Sequence, residues 1–378
     1  MPADAIIKQN PKQRNSSLEL LRIISMLMIV GCHFATHGGF SFDAKMLSIP
    51  RFWWYAIEMG GNFGVDVFVL ISGYFLVKGD DKIFDLARVL RFWGQVIFYS
   101  ILIYVVFGAL GISDFNFKSL VKTIFPITFS SWWFASTYFV LYIIHPFINI
   151  LINKLDKQKF QKLLIMLLVL WCIIPTFTSS SYQSNSLLWF VSLYCVAGYV
   201  RIFGLNNVFT SKRYLVFWII LSSLRYLSSV VLILIGTKIS FVSNYALFFY
   251  GTQSILTFLS ALALFMYFVK KDIGYHKWIN FVATATFGVY LIHDNSIVRP
   301  FLWLTIFKNA QYQDSLVLIP YSVAVVCVVY VCCTLIDLGR KQFIEKPYMS
   351  LVNKYADCLQ KPFESIIVFF KNIVFGKQ

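Results

Sequence analysis

The sequence predicts an all-α, polytopic integral membrane protein, and three observations lead to this prediction. Charged residues make up only 13% of the 378-residue chain and hydrophobic residues 58%, whereas a soluble domain carries about 25% charged residues. The chain also holds 39 Phe, 21 Tyr and 10 Trp, which is more aromatic surface than a water-facing protein tolerates. Finally, the apolar residues form runs of about 20, the length that crosses a bilayer as a helix.

Ten such runs follow one another along the chain, and we predict about ten membrane-spanning helices. The first run follows a polar segment and lacks a good signal-peptidase site after it, so it is interpreted as a retained span. The predicted spans are 18–37, 61–78, 92–112, 131–152, 163–178, 187–203, 214–236, 246–269, 279–301 and 315–337.

The distribution of basic residues orients these spans. When the connecting segments are assigned to alternate sides, 24 of the 33 Lys and Arg residues lie on the side of the N-terminus and six on the other. Basic residues collect on cytoplasmic loops, and an even number of spans puts both termini on one side, so both termini are predicted to be cytoplasmic. The predicted organisation is a cytoplasmic segment (1–17), one transmembrane domain (18–348) and a cytoplasmic or interfacial tail (349–378).

The net charge of +16 does not indicate nucleic-acid binding. The basic residues are scattered between apolar runs, without a basic arm or a known nucleic-acid motif. They are explained by topology and by anionic membrane lipids, which are therefore predicted partners. The seven cysteines lie mostly inside apolar runs and are interpreted as reduced, buried thiols.

Ionisable side chains inside the spans are expensive, so each is a functional candidate by default. They are Glu19, Arg22, His33, His37, Asp66, His145, Arg225, His293 and Arg299. At 1.5 Å per residue, His33 lies about 22 Å beyond Leu18, in the outer half of the membrane. His293 and Asp66 are predicted at a similar depth, so the three could meet. His33 and His37 have a spacing that metals use, but no further ligand motif accompanies them and no metal is predicted.

Six short motifs occur in order along the chain. They are Arg22-x10-His33, the run Gly64 to Tyr74 (GVDVFVLISGY), Arg88-x-x-Arg91, Trp132-Trp133-Phe134 with Tyr142 downstream, Phe287 to His293 (FGVYLIH), and Glu345-Lys346-Pro347. In this order and spacing, the chain from about residue 14 to 348 resembles the bacterial membrane-embedded acyltransferase-3 family of O-acyltransferases. No single motif is specific, but six in one chain are.

The resemblance implies an enzyme that takes an acyl group, often acetyl from cytoplasmic acetyl-CoA, and delivers it to a hydroxyl of a surface glycan. By match to the family's motifs, His33 is the essential histidine, and Arg88 and Arg91 form a cytoplasmic RxxR motif. Arg22 matches the first-span arginine, and Glu19 stands where the family commonly has Asp. The esterase-like soluble domain of some members is absent, so the chemistry is expected within the membrane domain.

A sugar hydroxyl is a weak nucleophile, and histidine is the side chain that titrates near neutral pH. His33 is therefore predicted to accept the hydroxyl proton, with Asp66 or Glu19 orienting or charge-balancing its imidazole. Alternatively, His33 carries the acyl group transiently as a nucleophile, and the sequence leaves both roles open.

Arginine recognises phosphate through bidentate, charge-assisted hydrogen bonds. Arg22, Arg88 and Arg91 are therefore predicted to bind the phosphates of the CoA donor. The alternative for Arg88 and Arg91 is that they only reflect the excess of basic residues on the cytoplasmic side.

Six further side chains are substrate-binding or structural candidates: Ser72, Tyr74, Trp133, Tyr142, His293 and Glu345. The segment of Ser72 is interpreted as helix packing rather than as a nucleophile. Trp133 is either an interfacial aromatic residue or a stacking platform for a sugar. His293 is a structural partner or a wall of the active site. Glu345 pairs with a cytoplasmic arginine or is solvated.

We therefore predict an O-acetyltransferase of the bacterial plasma membrane, with acetyl-CoA as donor and a cell-envelope, capsular or exopolysaccharide glycan, free or lipid-linked, as acceptor. The alternative is an exporter or flippase of polysaccharide or lipid-linked sugar, because ten spans with buried charges also suit transport. An exporter would not consume acetyl-CoA.

Overall fold

The structure, a computed structural model, describes residues 14–43, 47–78, 85–178, 180, 183–204 and 209–355, together with positions 358, 360, 362 and 365. The described residues form α-helices with short 3-10 and π turns, and no strand occurs among them. The predicted all-α fold class is confirmed. Most of the predicted tail, 349–378, lies outside the described residues.

The helices begin where polar side chains cap them. At the starts of α1, α2, α4, α5, α7, α9 and α10, an Asn, Asp, Ser or Thr side chain accepts a hydrogen bond from a backbone N–H inside the first turn, which satisfies a donor that the helix leaves unpaired. The bounds are α1 (Ser16–Thr36), α2 (Ile49–Glu58), α3 (Gly60–Leu76), α4 (Leu86–Ala109), α5 (Phe117–Ile124), α6 (Trp133–Asn153), α7 (Lys157–Leu168), α8 (Ile174–Thr178), α9 (Ser186–Phe203), α10 (Ser211–Gly236), α11 (Ser240–Ser243), α12 (Ile255–Lys270), α13 (Lys277–Ala283), α14 (Thr286–His293), α15 (Val298–Pro300), α16 (Leu318–Arg340) and α17 (Lys346–Lys354).

Nine helical segments of the described chain are long and apolar enough to cross a membrane, so the protein is a polytopic membrane protein. They correspond to all of the predicted spans except 279–301, which is divided among α13, α14, α15 and a π turn, Phe301–Ile306. We call the side of the bundle that holds Ser16 the inner face and the side that holds Thr36 the outer face. The inner face is the predicted cytoplasmic side.

Residues Asp294 and Asn295 interrupt this divided span. The side chain of Asn295 accepts a 2.8 Å hydrogen bond from the backbone N–H of Ile297, a local contact that competes with helical hydrogen bonding. The break leaves His293 at the end of α14.

The spans fall into a central and a peripheral set. In the spans of α1, α2–α3, α9 and α11–α12, 56–61% of the most apolar stretch is buried within the protein, against 22–33% in the others. Helix α1 packs against α2, α3, α13 and α16. Peripheral helices such as α10 expose Val216, Ile219 and Ile220, as expected for helices that face lipid. The helix that carries His33 is therefore among the most enclosed.

Glycines allow α3 to approach α1 closely. A Cβ atom at Gly61 would lie 2.3 Å from the Sγ of Cys32, and one at Gly64 would lie 2.7 Å from a side-chain carbon of Ile29. Small residues at such positions let two membrane helices come into backbone contact. This contact sets the start of α3 beside the outer half of α1.

Candidate active site

Two histidines from distant parts of the chain meet near the outer end of α1. The Nδ1 of His33 lies 2.9 Å from the Nε2 of His293. The Nδ1 of His293 lies 2.6 Å from the carbonyl oxygen of Val289, so this nitrogen is the donor and the Nε2 of His293 is left as an acceptor. The hydrogen-bond network therefore assigns the proton of His33 to Nδ1, and its Nε2 is the basic nitrogen.

A buried carboxylate supports the same assignment. The Oδ1 of Asp294 lies 3.4 Å from the Nδ1 of His33 and 3.9 Å from the Nε2 of His37, and its side chain is 3% exposed. The Nε of Arg299 lies 2.9 Å from the same oxygen. A buried carboxylate is stable only with such compensation. Its position near Nδ1 favours the tautomer that keeps a proton there.

His33, His37 and Asp294 present ligand atoms within 4.8 Å of one another, which is compact enough for a metal ion. However, Arg299 already pairs with Asp294, and His293 engages the Nδ1 of His33. A metal ion would have to compete with a guanidinium and separate the two histidines. The donor set therefore fits a hydrogen-bond network better than a metal centre.

A cavity of about 250 Å³ lies beside His33. Its lining is mostly apolar with a few polar groups, which is typical of small-molecule sites. The lining residues are Met26, Ile29, Cys32, His33, Thr36 and His37 of α1 and its C-terminal end, Glu58, Gly61, Asn62, Val65 and Phe68 of α2 and α3, Trp133 and Phe134 of α6, and Phe287 and Tyr290 of α14. The cavity thus joins side chains of five helices around one imidazole.

Asp66, which the sequence places at the depth of His33, points elsewhere. It is fully buried, and its Oδ1 accepts a 2.9 Å hydrogen bond from the Nε1 of Trp189 on α9. It is not part of the cavity lining, which α3 reaches with Asn62 and Val65 instead. The carboxylate beside His33 is that of Asp294.

Glu19 and Arg22 lie together in the inner half of α1. The Nη1 of Arg22 is 3.1 Å from the Oε1 of Glu19, and the guanidinium of Arg22 lies 5.8 Å from the ring centre of Phe75. About 14 residues of helix, or roughly 20 Å, separate Glu19 from His33. Glu19 therefore forms an ion pair with Arg22 and does not contact His33.

Four predicted residues come together at the inner face, at the start of α4. The Nε of Arg88 lies 2.8 Å from Asp85, and the hydroxyl of Tyr142 is within hydrogen-bonding reach of the Arg88 guanidinium. The Nε of Arg91 lies 3.7 Å from Glu345. Both arginine side chains are about half exposed, at 51% and 53%, so they are accessible to a ligand from the inner side.

Glu345 also belongs to a buried polar network, which we call the inner network. The Nη2 of Arg340 lies 2.8 Å from Glu345, and its Nε lies 2.7 Å from Asp337. Asp337 accepts further hydrogen bonds from the hydroxyl of Tyr99 at 2.8 Å and from Gln95 at 3.2 Å. The inner network fixes α4, which carries the RxxR motif, to α16.

The remaining candidates have separate surroundings. The Oγ of Ser72 donates a 2.8 Å hydrogen bond to the carbonyl oxygen of Phe68 in its own helix. The hydroxyl of Tyr74 accepts a 3.0 Å hydrogen bond from Arg201, whose guanidinium also lies over its ring. Trp133 lines the cavity and is 40% exposed. Of these three, Trp133 is the one that borders the cavity of His33.

Two residues of the site are not among the sequence predictions. Asp294 lies inside the predicted span 279–301, so the cost of burying a carboxylate in a membrane could have found it. Glu58 lines the cavity, but it precedes the predicted span 61–78, and the sequence offers no signal for it. Its segment becomes visible as a helix only when α2 is seen to continue into α3.

Taken together, a multi-pass helical bundle and a histidine pair at a small cavity are the features of a membrane-embedded enzyme with a candidate imidazole base. A family model described as an acyltransferase domain matches residues 15–338. The chain belongs to the acyltransferase-3 family and is a membrane acyltransferase, which confirms the resemblance found in the sequence. No curated protein and no solved structure matches the chain significantly.

Proposed function

We propose that the protein is an O-acetyltransferase of the bacterial plasma membrane, which moves an acetyl group from cytoplasmic acetyl-CoA to a hydroxyl of a cell-envelope, capsular or exopolysaccharide glycan. The observation that carries the proposal is the 2.9 Å contact between His33 and His293 beside the cavity. This contact leaves Nε2 of His33 as a base, which is what a hydroxyl nucleophile requires.

In the proposed reaction, the Nε2 of His33 takes the proton of the sugar hydroxyl while the hydroxyl oxygen attacks the thioester carbonyl carbon. The ester forms, the carbon–sulfur bond breaks, and the imidazolium returns its proton to the departing CoA thiolate. Asp294 and His293 stabilise the imidazolium in between, because a carboxylate and an acceptor nitrogen face its Nδ1–H.

Contacts along α6 support a donor route from the inner face to this base. Tyr142 lies beside Arg88, where CoA phosphates would bind. Tyr138 stacks on Phe134, with ring centres 5.9 Å apart, and Phe134 lines the cavity. These three aromatic residues are four apart and share one face of α6 over about 12 Å. A thioester arm along this face would bring the acetyl group toward His33.

The test uses membranes that contain the protein, labelled acetyl-CoA and crude envelope glycan. The wild type should form alkali-labile glycan ester, and His33→Ala should lower the rate by about 10³-fold. The matched control is His276→Ala, because His276 is exposed at the inner face, far from the cavity, and this variant should keep full activity. Equal transfer by His33→Ala and the wild type would contradict the proposal.

The same assay separates the two roles of His33. An acid-quenched reaction without glycan should hold no label on the protein if His33 acts as a base, whereas an acyl-imidazole would appear as protein-bound label. If no variant consumes acetyl-CoA while glycan still reaches the cell surface, the exporter alternative is favoured.

A further inference from the structure

Glu58 places a carboxylate in the same cavity as the base. It ends α2 at the outer face, and both of its carboxylate oxygens lie close to the Oγ1 of Thr36, at 3.0 and 2.8 Å. Thr36 lies about one helical turn beyond His33 on α1 and also lines the cavity. The hydroxyl of Thr36 therefore holds the Glu58 carboxylate against the wall that carries the base.

The described residues that line the cavity include an acidic side chain, that of Glu58, but no Lys or Arg. The nearest guanidinium of the site, that of Arg299, is paired with Asp294. A sugar that approaches His33 therefore meets the carboxyl group of Glu58, which can accept hydrogen bonds from its hydroxyls, and no Lys or Arg of the described lining is there to pair with a sugar carboxylate.

From this juxtaposition we infer that Glu58 orients the acceptor and selects a neutral or amino-bearing sugar residue, against uronic and sialic acids, at the position that receives the acetyl group. The inference rests on the proposed function. The Glu58 oxygens accept hydrogen bonds from hydroxyls neighbouring the reacting one. A sugar carboxylate in the same cavity is rejected because a buried charge needs a partner, and the described lining offers a carboxyl group and no Lys or Arg.

The experiment uses the labelled acetyl-CoA assay with the full-length protein in membranes. The first measurement is the identity of the labelled monosaccharide in the wild-type product, found by mass spectrometry after mild glycan cleavage. The second is the kinetics of Glu58→Gln, Glu58→Asp and the control Asp114→Asn. Asp114 is an exposed carboxylate of the outer face, outside the cavity, so its variant removes the same charge without touching the site.

We expect label on a neutral or amino sugar. Glu58→Gln should raise KM for the glycan by about tenfold, which corresponds to one hydrogen bond to a charged group, with KM for acetyl-CoA unchanged. Glu58→Asp should recover part of the loss and Asp114→Asn should match the wild type. A purely structural Glu58 would instead lower the melting temperature and alter both substrates together.

Label on a uronic or sialic acid, or wild-type kinetics in Glu58→Gln, would overturn the inference and leave the proposed function intact. Absence of any His33-dependent transfer to glycan would overturn the proposed function itself, and the inference with it. The two failures are therefore distinguishable.

Discussion

The outer site and the inner network are both built on a buried aspartate paired with an arginine, yet they have different neighbours. Asp294 lies 2.9 Å from Arg299 and Asp337 lies 2.7 Å from Arg340. Around Asp294 stand His33 and a cavity. Around Asp337 stand tyrosine, glutamine and lysine side chains, with no imidazole among its contacts in the described chain.

Helix α14 connects the two regions. Gly288 lies against the inner network, where a Cβ would come within 2.2 Å of the Oδ1 of Asp337. Five residues later, His293 contacts His33. The FGVYLIH motif therefore holds α14 to α16 with its glycine and completes the outer site with its histidine.

The comparison shows that a buried ion pair is not by itself a sign of catalysis. The side chains of Asp337 and Arg340 are 0% and 4% exposed, so their pair is enclosed by the helices around it. The guanidinium side chain of Arg299 is 29% exposed, and its partner Asp294 also faces imidazoles that can exchange protons. A titratable group at a cavity distinguishes the outer site.

The largest expected effect concerns stability, in the inner network. Asp337→Ala removes one of the two carboxylates that pair with the buried Arg340, and Glu345 remains as the other. Breaking a buried ion pair costs about 3–5 kcal/mol, and we expect a loss at the lower end of this range. The melting temperature of the detergent-solubilised protein should fall sharply, while the remaining folded protein keeps its KM values for the unaffected outer site. Asp114→Ala, at an exposed carboxylate, is the control and should melt with the wild type.

If Asp337→Ala kept the melting temperature of the wild type but lost activity, the inner network would belong to the catalytic machinery. The inner network would then not differ in role from the outer site. The double variant Asp337→Leu with Arg340→Met sharpens the test, because replacing both partners of a buried pair by apolar residues is often neutral. It should recover much of the lost melting temperature.

The second effect concerns activity, in the outer site. Asp294→Asn removes the charge that faces the imidazolium of His33, and we expect kcat to fall by about 100-fold. This is less than the loss of about 10⁴ for an aspartate that alone fixes its histidine tautomer, because His293 still accepts the Nδ1–H of His33. The melting temperature should change less than in Asp337→Ala, since Arg299 is partly solvated. A large loss of stability with unchanged kcat would mean that Asp294 stabilises the fold, as Asp337 is expected to do, and does not act on His33.

Depth along a helix could be predicted from the sequence, but the direction of a side chain could not. The rise of 1.5 Å per residue placed His33 and His293 at a common level, and they are in contact. The same rise predicts Asp66 at that level. Neighbouring residues on a helix point about 100° apart, so Val65 reaches the cavity while Asp66 faces Trp189.

The position of a break within an apolar span also cannot be predicted from hydropathy. The run 279–301 is apolar enough to be predicted as one span, whereas the structure breaks it at Asp294 and Asn295. Asp294 faces His33 and His37 of α1, and these contacts form only in the folded bundle. The site is built on this break, so its carboxylate depends on tertiary contacts that no local pattern encodes.

The smallest expected effect lies where the inner network meets the donor site. Arg91 is half exposed and only 3.7 Å from Glu345, and partly exposed ion pairs are worth about 0–1 kcal/mol. In the proposed function Arg91 exchanges this carboxylate for a CoA phosphate. Glu345→Gln removes the competing charge, so KM for acetyl-CoA should fall by about two- to threefold, whereas Arg91→Ala should raise it. Initial rates at varied acetyl-CoA and saturating glycan measure both. A rise in KM in Glu345→Gln would mean instead that Glu345 positions Arg91 for the donor, and the inner network would then reach into substrate binding.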